Sequence, residues 1–331
     1  MSSRRDFLKT LSATVALPAM AEAADAPSAD GAFPVRALGR TGINVTTFCL
    51  GGHHVARTRD EPTAEAVIRT AIEQGVRFFD NARKYTGGRA EDLYGKYLVP
   101  KHRDQIILMT KSGGNTKEEA NRDLEASLKA MKTDHLDLWQ IHAIVSPQDV
   151  DERINGGIFD AFFEAKAAGK TRFIGFTGHV SQEAHLHMLS ELEKRGLELD
   201  TCQMPINLVD PHYDSFILNV LPVLVKRRYA ILAMKTLVFG RLLGEGPAPL
   251  RKEGPPPSLL KAGVTLAEMF HYVCSLPVAA LVSGCETPEQ VMENTRIIRE
   301  FKAMDAATRD ALVAKAEACS GAAMEYYKRK V

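Results

Sequence analysis

Beyond residue 36, short apolar runs of strand length alternate with longer stretches whose apolar positions recur at helical spacing. The runs predict strands over 46–50, 76–80, 105–111, 136–142, 172–177, 200–204, 230–235 and 279–283. Between them, the 3.6-residue period predicts helices over 64–73, 90–98, 117–131, 159–168, 182–193, 215–226, 259–275 and 288–301. Strands alternating with helices form βαβ units and a parallel sheet, and eight such units favour closure into a single (β/α)8 TIM barrel of the α/β class. No G-x-G-x-x-G follows the first strand, so the fingerprint of an open dinucleotide-binding sheet is missing. Residues 35–47, with a Thr41-Gly42 turn, predict a hairpin ahead of the barrel. Past Phe301, patterns over 306–317 and 321–330 predict two extra helices packed on the outside. The stretch 238–258 is rich in glycine and proline and long for a connection between strand and helix, as functional lids are.

The N-terminus follows another pattern. Ser3-Arg4-Arg5-Asp6-Phe7-Leu8-Lys9 precedes an apolar stretch from Leu11 to Met20, and Ala21-Glu22-Ala23 supplies an A-x-A cleavage pattern. That order of parts predicts a secretory leader over 1–23, a flexible linker over 24–33 and the barrel over 34–331. The leader is too short, and carries Pro18, for a stable membrane span. The paired arginines before Phe-Leu-Lys resemble the twin-arginine export signal, which implies the twin-arginine machinery as a partner and a periplasmic or otherwise exported location.

Composition narrows the partners. The 331 residues are 45% hydrophobic and 25% charged, ordinary for a soluble globular chain. Against 42 basic side chains stand 41 acidic ones, for a net charge of +1, so no strong field attracts nucleic acid or an anionic membrane surface. A small molecule is the expected partner. Cys49, Cys202, Cys274, Cys285 and Cys319 are scattered, without a CxxC pair, and are expected as buried thiols. His185 and His187 share one predicted helix but face different sides, and no metal site is expected.

Catalytic groups of a parallel barrel lie at the carboxyl ends of its strands. Asp80 closes the second predicted strand, Lys111 the third and His142 the fourth, and Tyr85 follows five positions after Asp80. Each strand-end residue succeeds an apolar run, and a charge there is costly unless it is paired or used. The run Gly75-Val76-Arg77-Phe78-Phe79-Asp80-Asn81-Ala82-Arg83-Lys84-Tyr85 resembles the aldo-keto reductase signature, and Ala90-Glu91-Asp92-Leu93-Tyr94-Gly95 its continuation. Leu38-Gly39-Arg40-Thr41-Gly42, Leu50-Gly51-Gly52, Met109-Thr110-Lys111-Ser112 and Asp137-Leu138-Trp139-Gln140-Ile141-His142 are similar to that family in the same order, over about residues 35–300.

The resemblance implies an NAD(P)H-dependent carbonyl reductase with Asp80, Tyr85, Lys111 and His142 as its catalytic tetrad. Hydride addition builds negative charge on the carbonyl oxygen, which needs a proton donor and hydrogen bonds. A free phenol, with a pKa of about 10, donates poorly near neutrality. Lys111 is expected to lower that pKa for Tyr85, with Asp80 neutralising Lys111 and His142 donating to the substrate oxygen. Thr177 and Gln203 are expected at the carboxamide, and Met234 where the family often places an aromatic on the nicotinamide. Lys235, at the end of that strand, and Leu237 just beyond it are expected as further cofactor contacts. Asn207 also matches the family pattern. Val282-Ser283-Gly284-Cys285-Glu286-Thr287-Pro288-Glu289-Gln290-Val291-Met292-Glu293-Asn294 resembles the adenosine-phosphate segment, with Gly284, Cys285, Gln290, Glu293 and Asn294 as contacts.

Gly284 and Gln290 stand where the family commonly has cations for the 2′-phosphate, which weakens NADP recognition. NADP is nonetheless the expected cofactor on family habit, with NAD open. Lys235 or Arg241 could compensate for the missing cations. His53 and His54 follow the first strand and are candidates for the pocket that receives a carbonyl or alcohol substrate. Two other functions stay open on the residues alone: a nicotinamide-binding barrel acting as a redox sensor or regulatory module, and an unrelated barrel hydrolase or isomerase. For an exported protein, a further expectation is that the cofactor travels with the folded chain, with 238–258 as its clasp.

Overall fold

The structure, a computed structural model, describes residues 33–244 and 257–328. The leader, all of the linker but Phe33, residues 245–256 of the predicted clasp and residues 329–330 of the last predicted helix lie outside the described residues. A short antiparallel hairpin of β1 (Val35–Ala37) and β2 (Asn44–Thr46) leads into the barrel. Eight parallel strands then close on themselves: β3 (Phe48–Gly51), β4 (Phe78–Asp80), β5 (Ile107–Ser112), β6 (Leu136–Ile141), β7 (Thr171–Thr177), β8 (Thr201–Pro205), β9 (Ala230–Met234) and β10 (Ala280–Ser283), the last pairing with β3.

Side chains alternate across each strand, which divides the apolar residues into two cores. Cys49, Phe78, Met109, Leu138, Ala230, Leu232 and Ala280 fill the inside, where Leu38 and Val45 of the hairpin pack against them. Leu50, Phe79, Leu108, Trp139, Ile141, Ile174, Phe176, Cys202, Met204, Ile231 and Leu281 belong to the larger core under the helices. The hairpin predicted at 35–47 is therefore a plug for the barrel interior. All five cysteines are buried, as expected, and none forms a disulfide.

The helical layer begins with α1 (Gly52–Val55), α2 (Glu61–Glu73), α3 (Arg89–Tyr97), α4 (Val99–His102) and α5 (Lys117–Met131). It continues through α6 (Pro147–Asn155), α7 (Ile158–Ala167), α8 (Gln182–Lys194), α9 (Phe216–Asn219) and α10 (Leu221–Lys226), and ends with α11 (Leu266–Cys274), α12 (Pro288–Arg299) and α13 (Ala306–Ala316). Caps explain the starts: the Thr116 side chain accepts the Glu119 N–H at α5, and Thr287 caps α12 in the same way. Two predicted helices are corrected. The segment 215–226 breaks in two at Val220, just before Pro222, which has no N–H to continue the ladder. The helix predicted from 259 starts at Leu266, because Gly263 adopts a left-handed φ of 74° and Thr265 and Glu268 form a capping box. No described helix is long and apolar enough to cross a membrane.

The C-terminus departs furthest from expectation. Only the first of the two extra helices forms within the described residues; 321–328 make turns that reach the loop after β8. Lys328 Nζ lies 2.6 Å from Asp210 Oδ1 and 2.9 Å from Glu325 Oε1, all three side chains being buried. It also donates to the Tyr213 carbonyl at 2.7 Å. Asn207 Nδ2 lies 3.2 Å from Glu325 Oε1 and 3.1 Å from the Tyr327 hydroxyl. A buried lysine needs partners for its charge, and the turns over 321–328 bring it to Asp210 and Glu325. Truncating one member of such a network is expensive, so Lys328→Met is expected to lower the unfolding free energy by about 3–5 kcal/mol, measured as a shift in the urea midpoint.

Candidate active site

The alternation that sends Phe78, Met109 and Leu138 into the barrel also sends the residues two positions later inward at the top. Those residues are Asp80, Lys111 and Gln140. Lys111, 1% exposed, is among the largest fully buried side chains. Its ammonium donates to Asp80 Oδ1 in a very short contact, to the Asn81 carbonyl at 2.7 Å and to the Tyr85 hydroxyl at 3.2 Å. His142, one residue beyond β6, places its ring 5.6 Å from that of Tyr85, edge to face. On the other side the His53 ring lies 5.1 Å from Tyr85. The structure thus brings together all four expected tetrad residues, and adds His53.

Tyr85 is held by parts that the sequence reading did not single out. The Arg83 N–H donates to the Lys111 carbonyl at 3.1 Å, which ties the loop after β4 to β5. The Arg83 guanidinium makes a very short ion pair with Glu91, whose carboxylate is fully buried and also accepts from Thr110 Oγ1 at 2.6 Å. Gly88, at φ 99°, passes against Arg83; a Cβ there would come within 2.2 Å of the guanidinium. Buried Glu91 was visible in the sequence as a carboxylate beside the tetrad motif, but nothing in its spacing named Arg83 and Thr110 as its partners.

The electrostatics correct one expectation. Burial pushes the Tyr85 phenol up to about 12, and Lys111 only partly offsets this. The predicted net lowering does not occur, because taking a phenolate out of water costs more than one ammonium, already shared with Asp80, returns. Burial also opposes charge on Lys111, but Asp80 and Tyr85 together hold the ammonium above the ordinary lysine range. Burial, then the positive charge of Lys111, keeps the His142 imidazole neutral, well below its usual range. His53 is lowered to about 4 by burial and by neighbouring His54, Lys235, Arg57 and Lys111. Two neutral imidazoles therefore flank a protonated phenol.

The expected cofactor residues line the opposite half of the rim. Thr177 ends β7 and pairs in register with Gln203 of β8; both are buried. Gln203 also hydrogen-bonds Asp80, while its Oε1 has no partner. Asn81 Nδ2 and Thr236 Oγ1 are likewise buried without partners. Unmet polar atoms in a cleft are what a polar ligand would satisfy. Met234 ends β9 half-buried, and Leu237 packs against the outer core. Lys235, Val238 and Phe239 all adopt left-handed φ values, 59°, 50° and 56°, which are strained for such side chains. The C-terminal segment braces this loop: Arg241 donates to the Ala323 carbonyl at 2.7 Å and lies 4.0 Å over the Tyr326 ring. Phe239 in turn meets the rings of His53 and His54 at 6.2 and 6.0 Å. This is the described start of the predicted clasp.

The segment after β10 reaches the same rim. Cys285 is fully buried and lies 3.4 Å from Asn294 Nδ2, which also approaches Ser283 at 3.5 Å. Gln290 and Glu293 are exposed on α12, and Gly284 lies directly under the His54 ring. Asn207 belongs elsewhere, to the C-terminal network.

A closed parallel barrel with an ionised lysine, a phenol and a neutral imidazole at its C-terminal rim defines a class of oxidoreductase barrel. The Aldo/keto reductase family model matches residues 47–276, and the chain belongs to that family. It is accordingly an NAD(P)H-dependent oxidoreductase. L-Galactose dehydrogenase of Arabidopsis thaliana is 26% identical over 296 residues, covering 82% of this chain and 89% of that protein. A 6-dehydroglucose reductase of Novosphingobium aromaticivorans is 29% identical over 177 residues, covering 47% of this chain and 56% of that protein. The fold is shared with an aldo-keto reductase from Bacillus halodurans solved in its holo form, at a TM-score of 0.71 and 21% identity, over 87% of this chain and 97% of that one.

Lys235 has its ammonium 3.7 Å over the Phe239 ring and 5.8 Å from that of Tyr327, and no ion pair is recorded for it among the described residues. Burial, then repulsion from Lys111, lowers its pKa to about 7. Between pH 7 and the ordinary lysine range the unfolded chain keeps a proton that this folded site releases, so the group makes stability rise with pH in that window. Lys235→Met is expected to flatten the rise, read from urea midpoints at pH 7 and pH 9.

Proposed function

We propose that this chain reduces the carbonyl of an aldehyde, ketone or sugar with NAD(P)H, using Tyr85 as general acid. The observation that carries this is the Lys111 ammonium, in contact with Asp80 and 3.2 Å from the Tyr85 hydroxyl at the open end of the barrel. The names of the sugar-acting relatives support a sugar or polyol among the candidate substrates.

The rim suits a nicotinamide. The unpartnered Gln203 Oε1 can accept from a carboxamide N–H and Thr177 can supply its hydroxyl, while half-buried Met234 offers an apolar face. Lys235, Leu237 and the turn at 284–294 would take the phosphates and the adenosine end. When bound, the reduced cofactor supplies hydride to the carbonyl carbon. Tyr85 then protonates the oxygen as charge develops there. A phenol near 12 is protonated throughout the physiological range and still far more acidic than an alcohol, so transfer to a forming alkoxide runs downhill. Lys111 stabilises the phenolate left behind, and Asp80 keeps Lys111 from carrying an unbalanced buried charge. Neutral His142 donates one ring N–H to the carbonyl, orienting it. His53 and His54 shape the opposite wall.

The proposal extends to location. Arg4-Arg5 with Phe7-Leu8-Lys9, the apolar stretch and Ala21-Glu22-Ala23 support export through the twin-arginine route to the periplasm or beyond. Export of a folded chain would allow the cofactor to be acquired beforehand. Replacing Arg4 and Arg5 by lysine is expected to retain the protein in the cytoplasmic fraction, as judged by cell fractionation.

Turnover of a panel of aldehydes, ketones and sugars tests the chemistry. Tyr85→Phe is expected to lower kcat by about 10²–10⁴-fold while leaving cofactor Kd within about twofold; unchanged turnover would remove Tyr85 from its role. The direction of the phenol shift adds a pH signature. Reduction needs the protonated phenol and should be flat from pH 6 to 9, whereas alcohol oxidation needs the phenolate and should rise steadily over that range.

A further inference from the structure

NADH and NADPH differ only by a phosphate on the adenosine ribose. In a barrel of this class the loops after the seventh and eighth barrel strands and the adjoining helix N-terminus form the customary phosphate-binding corner. Here those elements are β9, β10 and α12. From Gly284 to Thr295 the chain carries Glu286, Glu289 and Glu293, and no lysine, arginine or histidine.

The absence of a cation is structural as well as compositional. The His54 side chain crowds Gly284, and a Cβ at that glycine would come within 2.0 Å of the His54 Cδ2. No basic side chain fits at 284 while His54 holds that place. His54 Nδ1 in turn lies 2.9 Å from Glu286 Oε1, which fixes the carboxylate at the corner. Burial depresses the His54 pKa, the contact with Glu286 opposing this only in part, so near neutrality the imidazole orients Glu286 without cancelling its charge. Two backbone donors of the turn, at Glu286 and Gln290, are also occupied. The Glu286 N–H donates to Gln290 Oε1 at 2.7 Å, and the Gln290 N–H donates to Thr287 Oγ1 at 3.3 Å. Arg57 is the nearby cation; it is mostly exposed and lies 4.0 Å from Glu286 itself. Lys235 is directed elsewhere, onto the Phe239 and Tyr327 rings.

We propose that Glu286, held by His54, is a specificity residue that selects NADH over NADPH. This rests on the reading of 284–294 as the adenosine end of the cofactor site, and it reverses the family-based expectation of NADPH. A ribose 2′-hydroxyl donates to a fixed carboxylate, as acidic residues do in other dinucleotide sites. A 2′-phosphate, which carries close to two negative charges near neutrality, meets a carboxylate and no fitted cation.

The test is direct binding of each reduced nucleotide to the full-length mature protein, followed by nucleotide fluorescence at low and high salt. NADH is expected to bind at least tenfold tighter than NADPH, and the gap to shrink at high salt because the repulsion is screened. Glu286→Gln, which keeps shape and removes charge, should narrow the gap, and Gln290→Arg, on the exposed turn, should tighten NADPH selectively. Equal or tighter binding of NADPH by the wild type overturns the inference while leaving the carbonyl-reductase function standing. So does NADH preference that neither substitution changes. Failure to bind either nucleotide sinks the proposed function and this inference together.

Discussion

A lysine ammonium buried at the top of a barrel has to be given partners, and much of the rim is organised by that demand. Lys111 is almost wholly removed from water, and an uncompensated charge in such a place costs several kcal/mol. Asp80 answers the charge, the Asn81 carbonyl takes a second proton of the ammonium, and the Tyr85 hydroxyl lies at the third. The same positive charge reaches His142 and helps to keep it neutral. Burial first and this cation second therefore set the protonation of the neighbours.

Around this centre the molecule spends strain and buried charge on holding loops still. The loop after β9 keeps three non-glycine residues in left-handed conformations, which persist only where the surroundings enforce them. The enforcement comes from the far end of the chain, through Arg241, Ala323 and Tyr326. That end is itself pinned by Lys328 between Asp210 and Glu325. The C-terminal segment thus acts as a brace for the loop after β9. On the tetrad side, Arg83, Glu91 and Thr110 do the equivalent for Tyr85. The His54–Glu286 pair closes the remaining corner, between the loops after β3 and β10.

Strand positions were legible because the signal is local. A run such as Val76-Arg77-Phe78-Phe79-Asp80 announces both a strand and the polar residue at its end, and the observed β4 ends at Asp80 as expected. The helix over Lys117–Met131 was read to the residue, since its cap at Thr116, its apolar stripe and its stop at Lys132 are all local. Errors arose where the deciding contact was distant. Residues 321–330 have a helical pattern, but Lys328 and Tyr327 are worth more in the buried network with Asn207 and Asp210, more than a hundred positions earlier in sequence. Pro222 was a local breaker that the apolar stripe over 215–226 obscured.

By itself the sequence determined the barrel and the meeting of Asp80, Lys111, Tyr85 and His142, because strand period and strand order are written in nearest-neighbour chemistry. Only the tertiary structure decided how those groups behave. Whether the phenol is lowered by its lysine or raised by its enclosure depends on how much water the fold removes, a quantity summed over many residues; enclosure wins. Likewise, that His54 packs over Gly284 and holds the Glu286 carboxylate depends on the segments after β3 and β10 meeting in space. Spacing along a chain does not encode that meeting, since the contact joins residues 232 positions apart.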